Sequence, residues 1–95
     1  MSDRRFEWNV SKAAINARKH RIAFEEAITV WRDPDLVFAE DPKHSDAEDR
    51  VKAIGFSDRN RLLSVIFTDR DHAIRIITAW KASAADKAAY AEALD

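Results

Sequence analysis

The hydrophobic pattern of the chain changes period three times, from irregular to helical, then to strand-like and back to helical. Arg4–Trp8 mixes hydrophobic and polar residues and predicts either a short strand or an extended lead-in. Asn9 follows as a helix N-cap, with Trp8 in the staple position before it. Val10–His20 then predicts a helix, on which Lys12, Asn16, Lys19 and His20 fall on one face through steps of three and four. Phe24, Ala27, Ile28 and Trp31 recur at i, i+3, i+4 and i+7, which predicts a second amphipathic helix over Ala23–Trp31. Glu25 and Glu26 suit the positive end of its dipole, and Asp33-Pro34 ends it.

Beyond the proline the pattern becomes that of strands. Leu36–Ala39 is a short apolar run, and Glu40–Asp49 is a polar loop. Val51–Phe56, Leu62–Thr68 and Ala73–Trp80 predict three further strands, joined by turns at Ser57–Asn60 and Asp69–His72. Connections this short predict an antiparallel meander. Ser83 and Asp86 resemble a capping box that opens a last, alanine-rich helix over Ala84–Leu94. Helices and strands segregate along the chain. The predicted fold class is therefore α+β: two N-terminal helices, a three- to four-stranded antiparallel sheet and a C-terminal helix. All helices are expected on one sheet face, in a single domain over residues 1–95.

Composition narrows the chemistry. The chain has no cysteine, which excludes disulfides, thiolate zinc sites and a cysteine nucleophile. Its single glycine excludes a glycine-rich phosphate loop. His20, His44 and His72 show no metal-ligand spacing, so neither a metal nor a cofactor is expected. No apolar run has the length of a membrane span, and Met1-Ser2-Asp3-Arg4-Arg5 has no apolar segment behind it. A soluble cytoplasmic protein without membrane contact is expected.

A formal net charge of −1 speaks at first against a nucleic-acid partner. The charges, however, lie in blocks: +3 over residues 1–32, −6 over 33–49, +4 over 50–82 and −2 over 83–95. Base is concentrated in the first helix and the sheet. Arg50 and Lys52 alternate with Val51 and Ala53, and Arg75 and Lys81 share parity on the last strand. Such residues form either a phosphate-attracting sheet face or ordinary solvated charges. Acid-base and electrostatic chemistry remains available. His20 reads equally as an acid-base group or as a partner of the helix C-terminus, and Tyr90 and the tryptophans read as packing residues.

An ordered set of residues then resembles a known family. Phe6-Glu7-Trp8-Asn9, Lys12, Asn16, Lys19-His20 and Phe24-Glu25-Glu26-Ala27 are similar to the start of the BrnT-type toxins, the domain of unknown function 497 family. The likeness continues through Asp33, Asp41, His44, Arg50, Gly55 and Arg61-Leu62-Leu63. It then takes in Val65, Thr68, Arg75-Ile76-Ile77-Thr78-Ala79, Ala82 and Tyr90. The resemblance implies a RelE-like fold and a ribonuclease toxin of a type II toxin-antitoxin module, cleaving RNA without a metal and inhibiting translation. It also implies a cognate antitoxin with a ribbon-helix-helix DNA-binding region, an RNA substrate either free or on the ribosome, and operator DNA reached only through the antitoxin.

By the same resemblance Lys19, His20, Arg50, Arg75 and Tyr90 are the expected catalytic residues, with Lys12, Lys52 and Lys81 as phosphate contacts. Five residues depart from the pattern: Asn9 stands where the family has aspartate, which caps a helix equally well, Arg21 where it has glycine, Trp80 where it has arginine, and Asp86-Lys87 where it has Glu-Arg. The Trp80 departure implies the alternative of a catalytically weak homologue that still binds its antitoxin and co-regulates transcription. A small interaction domain without nuclease activity is the third reading.

Overall fold

The computed structural model describes residues 5–40 and 49–94. Asp41 and His44 of the resemblance, and most of the expected polar loop, lie outside them. In chain order the elements are β1 (Arg5–Trp8), α1 (Val10–His20), α2 (Phe24–Ala27), a 3₁₀ helix (Ile28–Arg32), β2 (Val37–Glu40), β3 (Val51–Phe56), β4 (Leu62–Arg70), β5 (Ala73–Lys81) and α3 (Ala84–Ala93). Asn9 caps α1 by accepting from the Lys12 amide at 3.0 Å. Ser83 caps α3 by accepting from the Asp86 amide at 3.2 Å.

The sheet differs from the expected antiparallel meander. It has five strands in the order β1-β5-β4-β3-β2, and β1 pairs parallel with β5 while the other pairs are antiparallel. The reason is burial of two aromatic side chains. Phe6 and Trp8 alternate with Glu7, so a strand conformation turns both to the same side. Phe6 meets Trp31 edge-on at 5.2 Å between ring centroids, and Trp8 meets Phe24 at 5.9 Å. The register beside Ile74 and Ile76 sets both rings against this core, although it joins opposite ends of the chain.

Two further boundaries shift. The second helix is not continuous: its α-helical part stops at Ala27, and the chain tightens into the 3₁₀ helix. Thr29 is β-branched, and its hydroxyl donates to the Glu26 carbonyl at 2.6 Å, which competes with regular α-helical bonding. Strand β4 runs on to Arg70, further toward β5 than expected. Only Asp71 and His72 remain as the turn, with Asp71 at φ 48°.

Helices cover both faces of the sheet, not one. The core cluster joins Ile22, Phe24 and Val30 to Ala53, Val65 and Phe67 on one face. Ile54 and Ser64, paired across β3 and β4, point to the other face, where α3 packs over β2 and β3. Three polar anchors fix these layers. Buried Glu26 receives Arg61 through both carboxylate oxygens and Ser57 Oγ at 2.6 Å. The Arg61 hydrogen bond pulls the Glu26 carboxyl below its usual range, against the opposing effect of burial and with help from Ser57. Asp33 accepts from the Phe56 and Asp35 amides, each at 2.9 Å, and from the Tyr90 hydroxyl at 2.6 Å. Burial pushes the Asp33 carboxyl up, but these three donors outweigh it and its pKa falls.

The third anchor is Asn16. Its side chain is buried, and its Oδ1 accepts from Thr78 Oγ1 at 2.8 Å and from the Ala79 amide at 3.1 Å. Its Nδ2 donates to the carbonyls of Ala79 and Ile22, both at 2.9 Å. All four hydrogen-bonding positions of the amide are filled.

These contacts give three expected outcomes. Asn16→Ala leaves the Ala79 amide and carbonyl and the Ile22 carbonyl without their partner, and should cost about 3 kcal/mol or more in urea unfolding. Gly55→Ala should cost about 1–3 kcal/mol, because a Cβ at Gly55 would stand 2.8 Å from Leu36 Cδ1 and 3.3 Å from the Val30 carbonyl oxygen. The third outcome concerns pH. Burial and the hydrogen bond to Asp33 push the Tyr90 phenol up to about 12. A raised phenol pKa stabilises the fold fully below about pH 10, and that contribution is lost as pH rises toward 12. Tyr90 is the only tyrosine, so tyrosinate absorbance should stay low at pH 11 and appear earlier in Asp33→Asn.

Candidate functional site

A bulge in β5 decides which side chains share a face. Ile66 of β4 pairs with Thr78, but Phe67 pairs with Ile76, so Ile77 is an extra residue. Parity along β5 therefore inverts at this point. Arg75 lies opposite Thr68, and Trp80 lies opposite Ser64, and these two β4 residues point to the same side. Arg75 and Trp80 thus stand together on the α3 side of the sheet. Lys81 lies opposite Leu63 on the core side, so the expected common face of Arg75 and Lys81 is not formed.

Helix α1 lies against β5 beyond the point where β1 stops. The last β1 pairing is Trp8 with Ile76, and after it the outer edge of β5 has no strand neighbour among the described residues. Asn16 takes that place by bonding both the amide and the carbonyl of Ala79. This holds the basic face of α1 over the bulge. Lys12, Lys19 and His20 line one cleft of about 170 Å³ with Ile77 and Thr78. The His20 ring lies 6.2 Å from the Trp80 ring, tilted by 50°. Arg21, the departure from glycine, takes φ 60° as the C-cap and its amide donates to the Ala17 carbonyl.

The other expected residues are distributed around this centre. Arg75 Nη1 donates to Glu7 Oε2 at 3.1 Å, and both side chains remain substantially exposed. Arg50 is half-buried just before β3. The preceding carbonyl, of Asp49, accepts from Thr68 Oγ1 at 2.9 Å, and Thr68 is the cross-strand neighbour of Arg75. Lys52 shares the Trp80 side of the sheet, and its ammonium is held by Asp86 at 2.9 Å. Asp86 also accepts from Ser64 Oγ at 2.7 Å. Burial raises the Asp86 carboxyl, and the bonds from Ser64, Lys52 and the Ser83 cap outweigh it to lower its pKa. Tyr90 is set apart, with its ring 5.5 Å from Phe56 and its hydroxyl on Asp33. Among the described residues no group of three or more His, Asp or Glu side chains is arranged to hold a metal ion.

Two residues of consequence were not visible as such in the sequence pattern. Asn16 read as one more polar residue on the Lys12–His20 stripe, although a mid-helix asparagine in line with a buried strand is a signal for backbone capture. Trp80 read only as a packing aromatic or a departure. Its position beside His20 follows from a bulge that a period-2 reading does not contain.

A family model described as "Ribonuclease toxin, BrnT, of type II toxin-antitoxin system" matches residues 8–86. Among solved structures, the fold is similar to the crystal structure of the Brucella abortus ribonuclease toxin, BrnT. The TM-score is 0.65 and the identity 21%, over 85% of this chain and 99% of that one. No curated protein matches the chain in sequence. No helix among the described residues is long and apolar enough to cross a membrane. From the end of β1 to the first turn of α3 the chain carries the family's sequence pattern, and it belongs to the BrnT family of ribonuclease toxins of type II toxin-antitoxin systems.

Proposed function

We propose that this protein cleaves RNA in the manner of the RelE-like toxins, with acid-base and electrostatic groups of its own chain, and so inhibits translation. The observation that carries this reading is the shared cleft of Lys12, Lys19 and His20 beside the strand that bears Arg75. In the reaction the 2′-hydroxyl oxygen bonds to the adjacent phosphorus while the bond to the 5′ oxygen breaks. One group takes the hydroxyl proton, and an acid returns a proton to the leaving oxygen. His20 serves one of these proton transfers. Arg75 and Arg50 hold the phosphate and offset the charge that builds on it. Lys12 and Lys19 draw the strand in. Tyr90, hydrogen-bonded to Asp33, enters by holding α3 in place.

The partner in this reading is a cognate antitoxin with a ribbon-helix-helix region that neutralises the toxin in the cytoplasm. Operator DNA is reached only through that antitoxin. A second reading has its own support: Trp80 stands on the Arg75 side, where the resemblance leads one to expect a second guanidinium. It makes the chain a catalytically weak homologue that binds antitoxin and co-regulates transcription.

Expression without antitoxin, followed by growth and by primer extension on cellular RNA, separates the two. The first reading expects growth arrest and new RNA ends, reversed by antitoxin. His20→Ala or Arg75→Ala should lower cleavage by about 10²–10³. The absence of arrest and of new ends, with antitoxin binding intact, favours the second.

A further inference from the structure

His20 borders two different surroundings. On one side it lines the cleft that holds Lys12 and Lys19. On the other its ring lies against Trp80. The three tryptophans are not alike in packing. Trp8 and Trp31 pack against the hydrophobic core cluster, and Trp80 stands apart from it and remains partly exposed. The β5 bulge turns Trp80 to the side of Arg75, away from the core face. A large aromatic ring is thus kept partly exposed beside a histidine, where it contributes little to the core.

We infer that Trp80 is a stacking platform for one unpaired nucleobase of the RNA, whose neighbouring phosphate enters the Lys12–Lys19 cleft. The inference rests on the RNA-cleaving reading and adds a substrate class to it: single-stranded RNA with an accessible base beside the scissile position. Every base offers a π face, so a tryptophan accepts bases with little sequence preference. In a duplex both faces of each base are already stacked, so helical RNA does not fit. Lysines in the cleft attract phosphate whatever base follows, and Trp80 supplies contact that depends on a base being present.

The test uses the full chain and two probes that resist 2′-hydroxyl attack. One is a single-stranded 2′-O-methyl oligonucleotide of mixed sequence. The other is an abasic oligomer of the same length and charge. Trp80→Ala should weaken binding of the first probe by about 5- to 150-fold, the ratio that corresponds to about 1–3 kcal/mol of base stacking. Binding of the abasic probe should be unchanged, and Trp80→Phe should restore most of the lost affinity. Thermal melting of each variant shows that it is folded, and the retained abasic binding shows that the cleft is intact. Equal loss on both probes, or no loss on either, overturns the stacking role and leaves the RNA reading in place. Failure of the unaltered chain to bind either probe overturns both.

Discussion

The side chain of Asn16 is the contact on which the arrangement of the site depends. Strand β1 covers the outer edge of β5 only as far as Ile76. Beyond it, the Ala79 amide and carbonyl would be buried without a strand partner, and such orphan groups are costly. One carboxamide replaces the missing strand there, accepting from the Ala79 amide and donating to the Ala79 carbonyl. Its remaining bonds reach Thr78 in the bulge and Ile22 just past α1. The same four bonds therefore close the sheet edge, hold the bulge and seat α1. Lys12, Lys19 and His20 hang over β5 because Asn16, on the same helix face, is locked beneath them.

Much of this fold follows from local signals. The caps at Asn9 and Ser83, the period of α1 and the strand character of β3, β4 and β5 are all written in neighbouring residues. What was not legible depends on contacts far apart in sequence. The pairing of β1 with β5 joins Glu7 to Arg75, 68 residues away. The placement of α3 on the second face depends on Asp86 meeting Lys52 and Ser64. The bulge at Ile77 replaces one parity with another, so an alternation counted from Arg75 selects Lys81 where the folded strand presents Trp80. The site was legible in part for the same reason: α1 residues share a face by helical period alone, and the β5 residues join them only through the bulge.

The charge pattern gains meaning from these positions. Three acids packed between the layers are occupied: Asp86 by Lys52 and Ser64, Glu26 by Arg61 and Ser57, Asp33 by Tyr90 and two amides. They fix layers to one another. The cations of α1 stand over a cleft, so a net charge of −1 coexists with a locally basic surface. In the reaction proposed above, that surface meets the phosphate backbone of the RNA.

Amide hydrogen exchange at Ala79 tests the role of Asn16 most directly. In the intact chain the Ala79 amide should be as strongly protected as the amides paired between β4 and β5, although its hydrogen-bond partner is a side chain. In Asn16→Ala that protection should fall to the level of exposed backbone while the β3–β4 amides stay protected. Rapid exchange at Ala79 in the intact chain, or protection unchanged by the substitution, would contradict the account.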